Sequence, residues 1–163
     1  MSFRGPFAMP KVDGRKVHGG LRMPHLPAVD VDATGTVYAV WHDCRFRDLG
    51  PGQHCAHNDI VMSTSNDGRQ WSAVVRIPID PRNSSVDHFL PAIAVDPATS
   101  GSSAHIAVVC YFYPEADCNK SNCQLSVGVA SSLDGGQTWT SQQLGRPVQD
   151  DLATVDVLGL HGG

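Results

Sequence analysis

The chain has 163 residues, of which 41% are hydrophobic and 17% charged, and its formal net charge is −4. That balance belongs to globular rather than disordered chains, and the scattered basic residues give neither the footprint of a nucleic-acid binder nor a polybasic face for anionic lipid. No apolar run reaches the roughly 18 to 20 residues of a membrane-crossing helix, and Met1 to Pro10 lacks the apolar stretch of a signal peptide, so an exported protein would take its signal from elsewhere.

Sixteen Gly and eleven Pro punctuate the chain, and no long stretch repeats apolar residues at helical spacing, so an all-β class is expected. Residues 1–21 form an irregular lead-in, rich in glycine and basic residues. A first unit over 22–80 predicts strands at 28–31, 36–41, 59–64 and 73–77. Asp32-Ala33-Thr34-Gly35 supplies a tight connection between the first two strands, and Asp67-Gly68 a hairpin between the last two.

A second unit over 81–146 repeats the plan, with strands predicted at 92–95, 105–113, 124–130 and 139–144. Leu26-Pro27-Ala28-Val29-Asp30-Val31-Asp32 returns 64 residues on as Leu90-Pro91-Ala92-Ile93-Ala94-Val95-Asp96. Ser65-Asn66-Asp67-Gly68-Arg69-Gln70-Trp71 returns as Ser132-Leu133-Asp134-Gly135-Gly136-Gln137-Thr138-Trp139. Four antiparallel strands per period of about 65 residues is the plan of a propeller blade. Residues 147–163 open no third unit and read as an irregular tail, the whole making one partial domain.

Cys44 and Cys55 bracket one polar loop, and Cys118 and Cys123 another. Both spacings suit disulfides that staple loops, which points to an oxidising, extracellular compartment, while Cys110, in an apolar run, reads as a buried free thiol. A zinc site built from His42, Cys44, His54, Cys55 and His57 is the competing reading. Its spacing matches no zinc motif, and adjacent His54-Cys55 aims poorly at one tetrahedral ion, so disulfides are preferred and no metal or cofactor is expected.

Ser132-x-Asp134-x-Gly136-x-Thr138-Trp139 reads position for position as the S-x-D-x-G-x-T-W Asp box, and over roughly residues 21–144 the chain resembles the sialidase (neuraminidase)-type BNR-repeat β-propellers. The first copy, Ser65, Asp67, Gly68 and Trp71, is one residue shorter and lacks the threonine. The resemblance implies about two four-stranded blades, a fragment of a six-bladed ring, with the boxes as structural turns away from the ligand-binding face. Unclosed blades would leave edges free for self-association.

The same resemblance implies an exo-α-sialidase-like glycoside hydrolase that removes terminal sialic acids from glycoconjugates, this chain alone being inactive. That family uses a tyrosine nucleophile, an aspartate acid/base and arginines that clamp the substrate carboxylate. Leu21-Arg22-Met23-Pro24 is similar to the family's arginine motif, and Gly35 to Arg45, then a loop with Asp48, then Asp59-Ile60-Val61, follow its order. The resemblance therefore assigns Arg22 as a carboxylate clamp, Arg45 as a neighbouring pocket arginine and Asp48 as proton donor. Tyr38, Tyr111 and Tyr113 read as packing residues, and the nucleophile would come from later blades. The alternative is a non-catalytic secreted propeller that binds glycans or protein and keeps its boxes for folding.

Overall fold

The computed structural model describes residues 17–21, 23–46, 57–115 and 118–149. They form two four-stranded antiparallel sheets, ordered as in the sequence: β1 (Ala28–Val31), β2 (Val37–Asp43), β3 (Asp59–Ser65) and β4 (Val75–Arg76), then β5 (Asp87–Val95), β6 (Ile106–Tyr113), β7 (Gln124–Ser132) and β8 (Thr140–Gln149). The described sheets do not close into a ring. Among the described residues no helix is long and apolar enough to cross a membrane.

The alternation along β2 and β6 makes the sheets stack. Tyr38, Val40, Ile60, Met62 and Ile77 of the first sheet meet Val95, Ile106, Val108, Cys110 and Ala130 of the second in a buried core. Cys110 is a free buried thiol, its pKa pushed up to about 12 by burial and the charge of Asp80. The other face of the first sheet, with Ala39, Trp41 and Val61, is covered by Phe46, Trp71 and Val74.

Carboxylates stitch the sheets along their seam. Asp30 Oδ2 accepts the Val95 amide at 2.7 Å. Asp32 accepts the amides of Thr34 and Thr36 through Oδ1, and the Tyr38 hydroxyl and the Gly101 amide of the second sheet through Oδ2. Burial alone would raise its pKa, but the hydrogen bonds from Gly101, Thr34 and Thr36 win and hold the carboxyl well below its usual range.

The two Asp boxes fold as the same turn. In the first, the Gly68 amide donates to Ser65 Oγ at 2.9 Å, and the amides of Arg69 and Gln70 donate to Asp67 Oδ1 at 2.8 Å each. In the second, the Gly136 amide donates to Ser132 Oγ at 2.8 Å, and those of Gln137 and Thr138 to Asp134 Oδ1 at 3.0 and 2.8 Å. Gly68 thus corresponds to Gly136, and the extra residue of the second box is Gly135, at φ 70°, whose amide turns away to Ala104 O. The Thr138 hydroxyl adds a bond to Asp134 Oδ2 that the first box cannot make, and with the Thr138 amide it holds Asp134 down to about 2. Trp71 and Trp139 are half-buried, Trp139 Nε1 donating to Gly136 O.

Two elements depart from expectation. β5 begins at Asp87, five residues ahead of the predicted strand, because a register shift between Phe89 and Ala92 lets Leu90 (φ 48°) and Pro91 bulge out of the ladder. β8 runs to Gln149, past the predicted blade limit of 146 and into the expected tail, aided by a register shift opposite Leu125 and Val127. Most of the lead-in and the rest of the tail lie outside the described residues.

Candidate functional site

The box hairpins β3–β4 and β7–β8 turn at one end of the sheets. At the other end, where β2 and β6 finish and β3, β5 and β7 begin, buried polar residues gather: His42, Asp43, Asn58, Asp59, Asp87, His88 and Ser126. Buried charge is costly unless it is paired, so this concentration needs a network, and Asp87 anchors one.

Asp87 is fully buried at the start of β5. Its Oδ1 accepts the Asn58 amide at 2.9 Å and Asn58 Nδ2 at 2.8 Å, while Oδ2 accepts the His18 amide at 3.1 Å and bonds His18 Nδ1 at 3.0 Å. One carboxylate therefore ties together the lead-in, the segment entering β3 and the second sheet. Burial would raise its pKa, yet the bonds from His18 and Asn58 outweigh that and lower it. A carboxylate on Nδ1 fixes the imidazole's orientation, and an imidazole so held can take or give a proton.

Histidines crowd around this anchor. His18 stacks on His57 with ring centroids 5.3 Å apart, and His25 lies 4.2 Å from His42. Burial, then the neighbouring His25, depress His42 to about 4 against the opposing pull of Asp87 and Asp43. The lead-in is held from below as well: Val17 packs with Phe89, Tyr113 and the Cys118–Cys123 disulfide. At Gly19 (φ 70°) a Cβ would come within 2.7 Å of Cys123 Sγ, so glycine permits the close crossing.

Of the residues singled out in the sequence, Arg45 sits at the end of β2 with its guanidinium turned back on the protein. It pairs with Asp43 Oδ2 at 2.5 Å and lies 5.8 Å over the Trp41 ring, whose Nε1 also donates to Asp43. Burial would raise the Asp43 pKa, but the bonds from Arg45 and Trp41 lower it. Arg22 and Asp48 lie outside the described residues. Cys44 is disulfide-bonded, and Cys55, its expected partner, lies outside the described residues. That removes the Cys44 thiolate from the zinc reading, and the ring contacts of His42 and His57 lead to different neighbours, His25 and His18. Tyr38 and Tyr113 are buried, whereas Tyr111 is 38% exposed on the open face of the second sheet.

The sequence reading missed Asp87, Asn58, His18 and an ionic group in which Arg76 pairs with both Asp59, at 2.9 Å, and Asp80. Asp59, Asp80 and His88 offer ligand atoms within 4.8 Å of one another, but the Arg76 guanidinium already supplies a cation to both carboxylates. Arg76 is thereby committed to an internal ion-paired group. The signal for Asp87 was a polar pair, Asp87-His88, written just before the apolar repeat at Phe89-Leu90-Pro91-Ala92.

No family model matches the chain, and no curated protein matches it.

Proposed function

We propose that these sheets are two blades of a secreted, sialidase-like glycoside hydrolase that removes terminal sialic acids from glycoconjugates. The observation that carries this reading is the division of labour between the ends. Two Asp boxes with a shared hydrogen-bond pattern close one end, and the buried carboxylate and histidine network gathers at the other. The motifs quoted for substrate handling, around Arg22 and from Asp43 to Asp48, flank strands that open on that second end. In this reading Arg22 clamps the substrate carboxylate, Arg45 braces the pocket through Asp43, and Asp48 delivers the proton.

The test is fluorophore release from a 4-methylumbelliferyl sialoside by the full-length protein that carries these blades. Arg22→Ala is expected to lower kcat/KM on the order of a hundredfold by removing charge-assisted bonds to the carboxylate. Asp48→Asn is expected to lower kcat by roughly two to four orders of magnitude with a smaller effect on KM. Release that neither substitution changes would overturn the residue assignments, and no release at all would overturn hydrolysis.

A second reading has its own support: the guanidinium groups of Arg45 and Arg76 are neutralised within the fold by Asp43, Asp59 and Asp80. A propeller that only binds glycans or protein needs no free carboxylate clamp. Retention of the protein on an immobilised sialoglycan without turnover would favour it.

A further inference from the structure

We infer that a cleft between the two sheets, whose lining includes none of the residues assigned to the reaction, binds a neutral pyranose ring. The inference does not rest on hydrolysis, because its residues include none of those assigned to the reaction. The cleft has a volume of about 260 Å³, enough for one sugar ring rather than a chain.

Its floor is Phe112 of β6. Across the ladder, β7 carries Gly128, where a Cβ would stand 3.3 Å from the Phe112 ring, so glycine gives the ring its place. Ile79 closes one wall from the first sheet, and Ser141 Oγ of β8 donates to Ile79 O at 3.0 Å, pinning that wall to the second sheet. The rim carries Asp80 and Gln143, and buried His88 places its ring 5.6 Å from that of Phe112. Gln143 donates through Nε2 to Gly145 O, which leaves its Oε1 as an acceptor.

This arrangement selects by elimination. A hydrocarbon would cover Phe112 but strip water from the rim without replacing its hydrogen bonds. An acidic sugar would bring its charge beside the Asp80 carboxylate and meet no cationic side chain among the lining residues Ile79, Asp80, Phe112 and Gln143. A neutral pyranose lays its C–H face on the aromatic ring and turns its hydroxyls to the acceptors at the rim, as apolar sites with a few convergent polar groups do.

The experiment is an amide chemical-shift titration of the full chain with methyl β-galactoside, methyl β-glucoside and methyl α-mannoside, and with N-acetylneuraminic acid as the charged control. Saturable shifts are expected at His88 and Ser141 to Gln143 with at least one neutral glycoside, and none there with the acid. Phe112→Ala should weaken the binding by about tenfold. Gln143→Ala should weaken it by about threefold, and as an exposed strand residue it leaves the fold intact if the first variant does not. Absence of saturable shifts up to tens of millimolar glycoside, shifts that Gln143→Ala leaves unchanged, or preference for the acid would each overturn the proposal.

Discussion

Gly68 and Gly135 lie in the two Asp-box turns at nearly equal φ, 67° and 70°, yet a methyl group would be received differently. At Gly68 nothing lies within 4 Å of an added Cβ, whereas at Gly135 that atom would fall 2.2 Å from Gly101 O. Gly101 cannot give way freely, because its amide is held by buried Asp32. Gly68→Ala is therefore expected to cost only the left-handed backbone penalty, about 1 kcal/mol, and Gly135→Ala at least about 2 kcal/mol more, measured as urea midpoints at unchanged m. Equal losses would show that the Gly101 loop is soft. A second residue-level effect is the titration of His42. Its folded-state pKa is depressed to about 4, so protonation favours the unfolded chain. Stability should therefore fall as pH drops from about 6.5 towards 4, by up to about 3 kcal/mol in all. Asp32, Asp43 and Asp87, with lowered values, contribute stability that is present above the ordinary carboxylate pKa and is lost at still lower pH. His42→Gln should flatten the upper window and leave the lower one. An unchanged slope between pH 6.5 and 4 would move the cause to another group.

The elements show why the repeat was readable and the network was not. β1, β2, β3, β6 and β7 are short β-rich runs set between turn residues and matched across the repeat, so their places follow from composition, recurrence and the shared turns. Both box turns and the Cys118–Cys123 staple are local chemistry, settled within a few residues. β5 starts earlier than its repeat partner β1 because a bulge at Leu90 and Pro91 lets the ladder resume at Phe89, which the matching stretch 26–32 gives no sign of. β8 likewise outruns the expected strand end at residue 144, continuing through Gly145 to Gln149 across a register shift. Asp87 lies in that early part of β5, and its donors come from positions 29 and 69 residues away, a distance over which no local pattern reports. The lead-in is where this long-range bonding is most exposed to test. Asp87→Asn turns one acceptor into a donor facing other donors, and Cys118→Ser/Cys123→Ser removes the sulfurs under Gly19. Both variants should speed hydrogen exchange at His18 and Leu21 while the amides of β2 and β6 stay protected. Exchange at His18 that Asp87→Asn leaves unaltered would mean that Val17 packing alone fixes the strap.

At the scale of the whole molecule, the two sheets differ in how their faces are covered. Val37 and Ile106 pair with the box serines Ser65 and Ser132, so Val40 corresponds to Val109 and His42 to Tyr111. In the first sheet that face is buried by the second sheet, with Val40 and His42 at 0% exposure. In the second sheet the same face stands open, with Val109 39% and Tyr111 38% exposed. The first sheet's remaining face is covered over Ala39, Trp41 and Val61 by Phe46, Trp71 and Val74, while Val29 and Val31 stay exposed along its β1 margin. Of the outer edges, β4 offers only Val75 and Arg76 to a new strand, whereas β8 runs from Thr140 to Gln149. Association is expected through the face that carries Val109 and Tyr111, where burying apolar side chains is worth roughly 25 cal/mol per Å². Light scattering is expected to show concentration-dependent oligomers of the chain, and Val109→Glu with Tyr111→Glu to shift it to monomer without loss of strand signal. Oligomers that persist in the double variant would place the contact at the sheet edges instead, as unpaired strands would have it.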